Sequence, residues 1–354
     1  MGERKSSCTN CSISVSVFRS VRSRSTINGS GKPATSFNAG ATVTMPPVTI
    51  SKVAVLLATY NGEKFLDEQL ASIHTQTYPE IDILVSDDGS TDATKSILRQ
   101  WRQRWTKGKI SIKDGPRQGF SENFRSLLVR TPGSYTAYCF ADQDDIWLPH
   151  KIERALSMLD AAAPGPALYG SRTRLVDERG TPIGLSPLFT RPKSFENALV
   201  QSMAGGNTMM LNPQAFALLA ESSHRASFVT HDWWAYMLVT GAGGTAIYDP
   251  EPSLLYRQHA ANIVGKNSGV IATFRRLGGV MSGQFRDWAS ANIAALETCE
   301  DMLSPQALST LMRWKQVHEA RPPVGLRALR QAGVYRQNVR GNIMLYLAAL
   351  MGWL

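Results

Sequence analysis

The sequence contains no long apolar run. Nowhere in its 354 residues do about 18 apolar residues follow one another, the length that a membrane-spanning helix requires. Cysteine is also scarce, with four residues at positions 8, 11, 139 and 299. Cys8 and Cys11 are spaced as in redox and zinc sites, but their Ser-rich surroundings without a βαβ pattern argue against either site. These shortages exclude a disulfide-stabilised fold and favour a reduced, cytoplasmic setting.

An excess of positive charge is missing from the central part of the chain. The net charge is +10, yet residues 49–265 carry 21 basic and 22 acidic side chains. Residues 1–48 carry six basic and one acidic side chain, and residues 266–354 carry eleven and five. A nucleic-acid-binding protein would concentrate basic residues on its folded domain, so no nucleic-acid partner is expected. Basic ends favour peripheral contact with an anionic membrane, here the inner face of the plasma membrane, through the C-terminus.

The first 48 residues lack a hydrophobic period. Up to residue 44 they are rich in Ser, Thr, Asn and Gly, which predicts a disordered tail. An Arg- and Ser-rich segment with few acids is also typical of an organellar transit peptide. A third possibility is that translation starts at Met45. None of the three interpretations gives this tail a catalytic role.

A regular α/β pattern begins at Val53. The continuous apolar run from Val53 to Leu57 predicts a parallel strand buried on both faces. Further strands, predicted at 81–85, 110–112 and 135–141, alternate with helical stretches. This rhythm predicts a Rossmann-like, mostly parallel sheet flanked by helices over residues 49–265. Residues 266–354 are predicted to form a basic, helical C-terminal extension.

Polar turns follow three of the predicted strands, at residues 59–62, 86–92 and 142–145. In open parallel sheets, ligands bind beyond the carboxyl ends of the strands. The three turns should therefore lie at one edge of the sheet and form a binding site.

The last of these turns is a cluster of three carboxylates, Asp142, Asp144 and Asp145. Acids packed this tightly beside apolar residues are costly unless a cation or hydrogen-bond donors compensate them. Alternate residues on extended backbone face the same way, so Asp142 and Asp144 could reach one oxygen-loving cation. The alternative is a solvated turn, with Asp145 capping a helix that begins at Pro149.

Four motifs resemble those of the family 2 glycosyltransferases, which have the GT-A fold. In order they are Thr59-Tyr60-Asn61-Gly62, Asp87-Asp88-Gly89-Ser90, Asp142-Gln143-Asp144-Asp145 and His231-Asp232-Trp233-Trp234. The stretches Ala141–Trp147 and Tyr256–His259 are most similar to bacterial rhamnosyltransferase-type members. The resemblance covers about residues 49–265, with one departure: family members often have Glu where His231 stands.

The resemblance implies a role for each matching residue. A divalent cation, Mg²⁺ or Mn²⁺, would be held by Asp144, with Asp142 and His259 as further ligands. The donor nucleotide would contact Ala58, Tyr60, Asp88 and Asp142, and the donor sugar and diphosphate would contact Gly205, Gly206 and Arg257. Asp232 would be the catalytic base. The alternative for His231 and Asp232 is that they merely start a helix whose tryptophans belong to the core.

The implied function is inverting, metal-dependent sugar transfer from a nucleotide diphosphate donor in cell-surface glycan synthesis. The resemblance points to L-rhamnose from dTDP-rhamnose and to a lipid-linked or polysaccharide acceptor. A UDP-hexose, galactose or glucose, is the alternative donor. A nucleotidyltransferase would need a basic, Gly-rich loop near the first strand, and Tyr60-Asn61-Gly62 is not one. A non-catalytic nucleotide-sugar-binding protein would be expected to lack Asp144 or Asp232, and both are present.

Overall fold

A computed structural model describes residues 52–259, 283–319 and 324–354. The predicted tail over residues 1–48, and the predicted boundary between residues 265 and 266, lie outside these ranges. The compact unit that contains all the described residues spans Thr49–Leu354.

Eleven strands are present in the described residues. They are β1 (Val53–Thr59), β2 (Ile81–Asp87), β3 (Ile110–Asp114), β4 (Ala137–Ala141), β5 (Ile146–Trp147), β6 (Ala167–Ser171), β7 (Arg174–Val176), β8 (Pro182–Leu185), β9 (Met210–Leu211), β10 (Thr245–Asp249) and β11 (Leu254–Arg257). The first four helices alternate with the strands as predicted. They are α1 (Leu66–His74), α2 (Thr94–Arg104), α3 (Phe120–Arg130) and α4 (Lys151–Asp160). The later helices are α5 (Phe195–Ala198), α6 (Pro213–Arg225), α7 (His231–Gly241), α8 (Gln284–Glu297), α9 (Pro305–Glu319), α10 (Val324–Ala332) and α11 (Val339–Met351).

Seven strands form the main sheet, in the order β10-β6-β9-β4-β1-β2-β3. The pairs β1–β2, β2–β3, β1–β4 and β6–β10 are parallel. Within the described strands of this main sheet, only the two-residue strand β9 runs antiparallel to its neighbours, β4 and β6. The predicted mostly parallel sheet flanked by helices is therefore confirmed.

Strand β1 shows why the sheet has a core on each face. Its alternate side chains point to opposite sides, and all but one of its residues are buried. Ala54 and Leu56 join the cluster that contains α3, α6 and α7. Val53, Val55 and Leu57 join the cluster that contains α1, α2 and α4. Burial on both faces accounts for the continuous apolar run in the sequence.

A second sheet is formed by four short strands, one of which, β5, follows β4 in the chain. It has the order β5-β11-β7-β8, with β11 antiparallel to β5 and parallel to β7. Since β5 follows the acidic cluster directly in the chain, β11 brings Arg257 next to that cluster. The first turn of α4 begins at Lys151, two residues later than the Pro149 start expected from the sequence.

The C-terminal helices α8–α11 confirm the predicted helical extension. Leu296, Trp314, Leu329 and Leu345 lie in the same hydrophobic cluster as Trp234 of α7. The helices therefore share a core with the α/β sheet, while the predicted division at residue 265 stays a prediction. No helix in the described ranges is both long and apolar enough to cross a membrane.

Candidate active site

The side chain of Gln143 joins the first and third polar turns. Its amide accepts a hydrogen bond from the Tyr60 backbone N–H (2.9 Å) and donates one to the Tyr60 carbonyl (3.0 Å). A side chain at Gly62 would displace the Gln143 amide, so glycine at this position preserves the contact. The turn after β1 is thereby fixed to the acidic cluster after β4, as expected for turns that meet at one edge of a parallel sheet.

The first and second polar turns bind each other through reciprocal hydrogen bonds. The backbone N–H of Asn61 donates to Ser90 Oγ, and the side-chain oxygen of Asn61 accepts a hydrogen bond from the Thr91 N–H. Both bonds are 2.9 Å long. Two residues on, Glu63 N–H donates to Asp92 Oδ2 at 3.0 Å. Asn61 has a φ of +46°, in the left-handed region that asparagine tolerates better than most residues. These bonds hold the two turns in one arrangement.

Asp87 has a structural role between β1 and β2. Its carboxylate accepts hydrogen bonds from the Thr59 hydroxyl (2.9 Å), the Ser90 N–H (2.9 Å) and the Ser90 hydroxyl (2.6 Å). Burial raises the pKa of Asp87, but these bonds and the nearby Lys95 outweigh burial, so the pKa lies below its ordinary value. Asp87 therefore stabilises the turn after β2 and ties it to the end of β1.

Asp88 is buried and binds the loop after β3. One carboxylate oxygen accepts from the Arg117 N–H at 2.6 Å and the other from the Gly119 N–H at 2.8 Å. The backbone N–H of Asp88 donates to the Thr59 carbonyl at 2.8 Å. Beside it, the Tyr60 side chain is 58% exposed. The two residues predicted to contact the nucleotide base therefore flank the same edge of β1 and β2, next to half-buried Ala58.

The carboxyl groups of the acidic cluster lie close enough to disfavour one another's ionisation. Burial, the charge of Asp144 and the charge of Asp232 together raise the pKa of Asp142 to about 8. Asp232 lies 90 positions further along the chain, at the start of α7. The charge of Asp232 therefore reaches the acidic cluster, although the two are far apart in the chain.

Asp144 is paired with His259. The Asp144 Oδ2 atom lies 2.8 Å from His259 Nε2, and the imidazole packs near the Phe65 ring. Arg257 is almost fully buried and donates to the Asp144 carbonyl (3.1 Å), to the Glu178 carbonyl (2.7 Å) and to Glu68. Arg257 thus shapes the backbone around Asp144, and its predicted contact with a diphosphate stays a prediction.

Asp144 and His259 lie close enough together to bind one divalent cation. Adjacent ligands of an octahedral Mg²⁺ lie about 3 Å apart, close to the separation of the Asp144 oxygen and the His259 nitrogen. A bound cation would lower the raised pKa of nearby Asp142, because a positive charge favours the ionised carboxylate. In the described ranges, no group of three or more His, Cys, Asp or Glu side chains is placed to hold a metal ion. The predicted ligands Asp142, Asp144 and His259 are thus not placed together as a set of three. A cation that also binds phosphate often needs only one or two carboxylates from the protein.

The alternative interpretation expected Asp145 to cap the following helix. The structure shows that it does not. Its Oδ2 atom accepts a hydrogen bond of 2.5 Å from Asn207 Nδ2, in a fully buried setting. Burial first, then the charges of Asp144 and Asp142, raise the pKa of Asp145 well above its ordinary value, although the Asn207 bond lowers it in part. The reason for the difference is tertiary: Asn207 approaches from a distant loop. Asp145 therefore connects the acidic cluster to the loop of Gly205 and Gly206.

Lys151 binds the end of the loop that contains Gly205 and Gly206. Its ammonium group is buried, donates to the Thr208 carbonyl at 3.3 Å and lies 4.4 Å from the centre of the Trp147 ring. Burial lowers the pKa of Lys151 to about 8, an effect that the neighbouring Cys139 and Asp145 partly oppose.

His231 packs the glycine loop against α7. The imidazole stacks on Phe124 with ring centres 3.7 Å apart and meets Phe140 edge-on at 4.7 Å. Burial lowers its pKa to about 4, with Asp232 opposing the shift. A side chain at Gly206 would collide with the His231 ring, which explains the glycine. The predicted sugar-binding loop therefore contacts His231, the residue directly before the predicted base, Asp232.

Asp232 lies in the first turn of α7, and its own side chain is half-buried. Its Oδ1 atom accepts from the Trp233 N–H at 2.8 Å, and within the described residues no hydrogen bond reaches Oδ2. Trp233 donates its indole N–H to the Ala198 carbonyl (2.6 Å) and Trp234 donates to the Ser222 hydroxyl (3.0 Å). Both tryptophans belong to the core, as the alternative interpretation expected, and they hold α7 so that Asp232 faces the acidic cluster.

Replacing Asn207 by alanine should lower the free energy of unfolding by about 2 kcal/mol, because Asp145 would lose a buried hydrogen bond. Asn207→Asp should be more destabilising, since it would bury a second carboxyl group against the first. Thermal and urea unfolding measure both. An Asn207→Asp protein as stable as the wild type would contradict the Asn207–Asp145 contact.

Two residues of this site were not singled out from the sequence. Gln143 stands inside the acidic motif, but its partner Tyr60 is 83 positions away, and Asn207 is 62 positions from Asp145. The only sequence signal was their position inside or beside a motif, since Gln143 separates two of the acids and Asn207 follows two glycines.

Comparison with known proteins agrees with this geometry. Residues 54–216, which run from β1 into α6, match the family model described as Glycosyl transferase family 2. Residues 54–216 therefore form a glycosyltransferase family 2 domain. It is 29% identical over 245 residues to the dTDP-rhamnosyl transferase RfbG of Shigella flexneri, a match covering 65% of this chain and 81% of that protein. The predicted family, and the likeness to a rhamnosyltransferase, are thereby confirmed.

Solved structures of other glycosyltransferases also align with this glycosyltransferase. TarS of S. aureus, in complex with UDP-GlcNAc, gives a TM-score of 0.49 at 16% identity, covering 79% of this chain and 81% of TarS. The mannosyltransferase PcManGT of Pyrobaculum calidifontis, in complex with GDP-Man and Mn²⁺, gives 0.44 at 17% identity, covering 81% and 87%.

Proposed function

We propose that this glycosyltransferase moves L-rhamnose from dTDP-rhamnose to a lipid-linked or polysaccharide acceptor, with inversion at the anomeric carbon and with help from a divalent cation. The observation that carries the proposal is electrostatic: Asp144 and Asp232, from distant parts of the chain, both raise the pKa of Asp142. Two carboxylates in one site suit an inverting transfer, one beside the leaving group and one beside the incoming hydroxyl.

In this proposal the two halves of the site have separate tasks. Asp144 and His259 would hold Mg²⁺ or Mn²⁺, which when bound offsets negative charge on the departing diphosphate. Asp232 would take the proton of the acceptor hydroxyl at Oδ2, the oxygen that the Trp233 N–H leaves free. The acceptor oxygen then bonds to the anomeric carbon on the face opposite the leaving nucleotide, so the configuration inverts.

The donor nucleotide would lie across the first and second polar turns. The exposed ring of Tyr60 is available to stack on a base. Each oxygen of Asp88 accepts one backbone N–H and retains a second lone pair, which would accept the N3–H of thymine. Support for rhamnose as the sugar comes from the similarity to RfbG.

The acceptor completes the proposal. A lipid-linked glycan would place the reaction at a membrane surface, on the cytoplasmic side, in the synthesis of a cell-surface glycan. Peripheral contact through the basic C-terminal helices would bring the protein to that surface.

A donor screen tests the proposal. The protein is incubated with dTDP-rhamnose, UDP-glucose or UDP-galactose, with Mn²⁺, Mg²⁺ or a chelator, and released dTDP or UDP is measured. We expect dTDP-rhamnose to be turned over about tenfold faster or more than either UDP-hexose, and only with a cation. Faster release of UDP would move the donor to a UDP-hexose. Donor binding without turnover by folded protein, with glycan acceptors present, would reject the transferase proposal.

A further inference from the structure

Helix α11 carries an exposed apolar stripe. Val339, Ile343, Leu347, Leu350 and Met351 are each between 45% and 75% exposed. They follow one another at spacings of mostly three or four residues, which places them along one side of the helix. Large apolar side chains aligned in this way, on the surface of a protein, indicate a binding surface.

The opposite side of α11 fixes the orientation of the stripe. Leu345, Ala348 and Ala349 are buried in the hydrophobic cluster that also contains Trp314 and Leu329. Rotating the helix to bury the stripe would expose these residues instead. The stripe is therefore held outward by the packing of the domain itself.

The segment that carries the stripe has charges of one sign. After Glu319 the chain contains no acidic residue up to Leu354, but it contains five arginines. Arg340 is exposed within the turn that begins the stripe, and Arg327 and Arg330 are exposed on the neighbouring helix α10. Exposed apolar residues flanked by arginines match the two layers of an anionic bilayer, acyl chains and negatively charged headgroups.

We infer that the stripe on α11, with Arg327, Arg330 and Arg340, docks on an anionic lipid bilayer. A helix of 13 residues is too short to span the membrane, so it lies in the interface with its apolar side towards the acyl chains. This assigns residues to the membrane contact of the proposed function and rests on that function only for the site of the acceptor. Lipid binding itself needs neither donor nor transfer.

Flotation of the full chain with vesicles tests this inference. We compare phosphatidylcholine vesicles with vesicles that also contain phosphatidylglycerol. The wild type should float with the anionic vesicles, and less at high salt. The triple variant Ile343→Ser, Leu347→Ser, Leu350→Ser should lose about tenfold or more in partitioning, because three apolar side chains no longer enter the interface. Changing Arg327 and Arg340 to Gln should cost about fivefold for each arginine on anionic vesicles alone.

The chain offers a closely matched control. Ile183, Leu185 and Leu188 are 55%, 46% and 49% exposed, against 55%, 45% and 48% for Ile343, Leu347 and Leu350. Replacing these three by serine makes the same chemical change at the same exposure, on and after β8. This control variant should float like the wild type.

Three outcomes would overturn the inference. The stripe variant could float like the wild type, or the control variant could be the one that loses binding. Alternatively, light scattering could show a wild-type dimer that the stripe variant converts to a monomer, in which case the stripe binds a second copy of the chain. Circular dichroism and donor turnover in vesicle-free buffer, expected to be unchanged, separate lost lipid binding from misfolding and from failure of the proposed transfer.

Discussion

Replacing Asp232 by asparagine is expected to lower the rate of sugar transfer by about 10²–10⁴-fold while donor binding is kept. Asparagine has the shape of aspartate and can still accept the 2.8 Å bond from the Trp233 N–H, so the first turn of α7 should be unchanged. It cannot take a proton from an acceptor hydroxyl. The loss should therefore fall on the transfer step, measured as the initial rate at saturating donor and acceptor.

The direction of the change in donor affinity makes this prediction specific. Asp232 adds to the negative charge felt by Asp142, so its removal makes the site less repulsive to an anionic diphosphate. The dissociation constant of the donor should stay the same or fall. Weaker donor binding in proportion to the lost rate would contradict the role of Asp232 as base.

A matched change elsewhere checks that the effect is local. Asp160 is exposed at the end of α4, and Asp160→Asn should leave both rate and affinity unchanged. The anomeric configuration of the product, read by NMR, adds a second check on the wild type. Retention of the donor's configuration would exclude a single displacement with Asp232 as base.

Local patterns were sufficient to predict much of this fold. The apolar run at Val53–Leu57 predicted a buried parallel strand, and the structure extends it only to Thr59. The positions of the polar turns followed from the same reasoning, because strands that run in parallel end at one edge of a sheet. The turns that meet there, through Gln143 and Asn61, confirm that expectation.

Contacts between distant segments were beyond the reach of the sequence. The sequence left open a helix-capping role for Asp145 because its neighbours suggested one, yet its partner is Asn207, from a loop that only the fold brings near. The tryptophans after Asp232 carried the same ambiguity, since an indole ring suits a core as well as a cleft. Their hydrogen bonds to Ala198 and Ser222, which place them in the core, depend on packing that no local period encodes.

Asp144→Ala should abolish the metal dependence of donor binding. In the wild type, Mn²⁺ should tighten donor binding by about tenfold to a hundredfold over that in chelator, the range typical of groups that control a metal site. Alanine removes the carboxylate that faces His259, but keeps the backbone carbonyl that accepts from Arg257. The loop should therefore keep its shape while one cation ligand is lost. Isothermal titration with dTDP-rhamnose, with and without Mn²⁺, gives both affinities.

The affinity measured in chelator decides whether this loss is due to the cation. Without metal, removing the negative charge of Asp144 should leave donor binding unchanged or slightly stronger, since the donor itself is an anion. Misfolding would instead weaken binding in both conditions. His259→Ala should reduce the metal effect in the same direction, because its Nε2 lies 2.8 Å from the same oxygen. If Mn²⁺ still tightens donor binding by the Asp144→Ala protein as much as by the wild type, the cation binds elsewhere. The proposal that Asp144 holds the cation while Asp232 acts as the base would then be wrong.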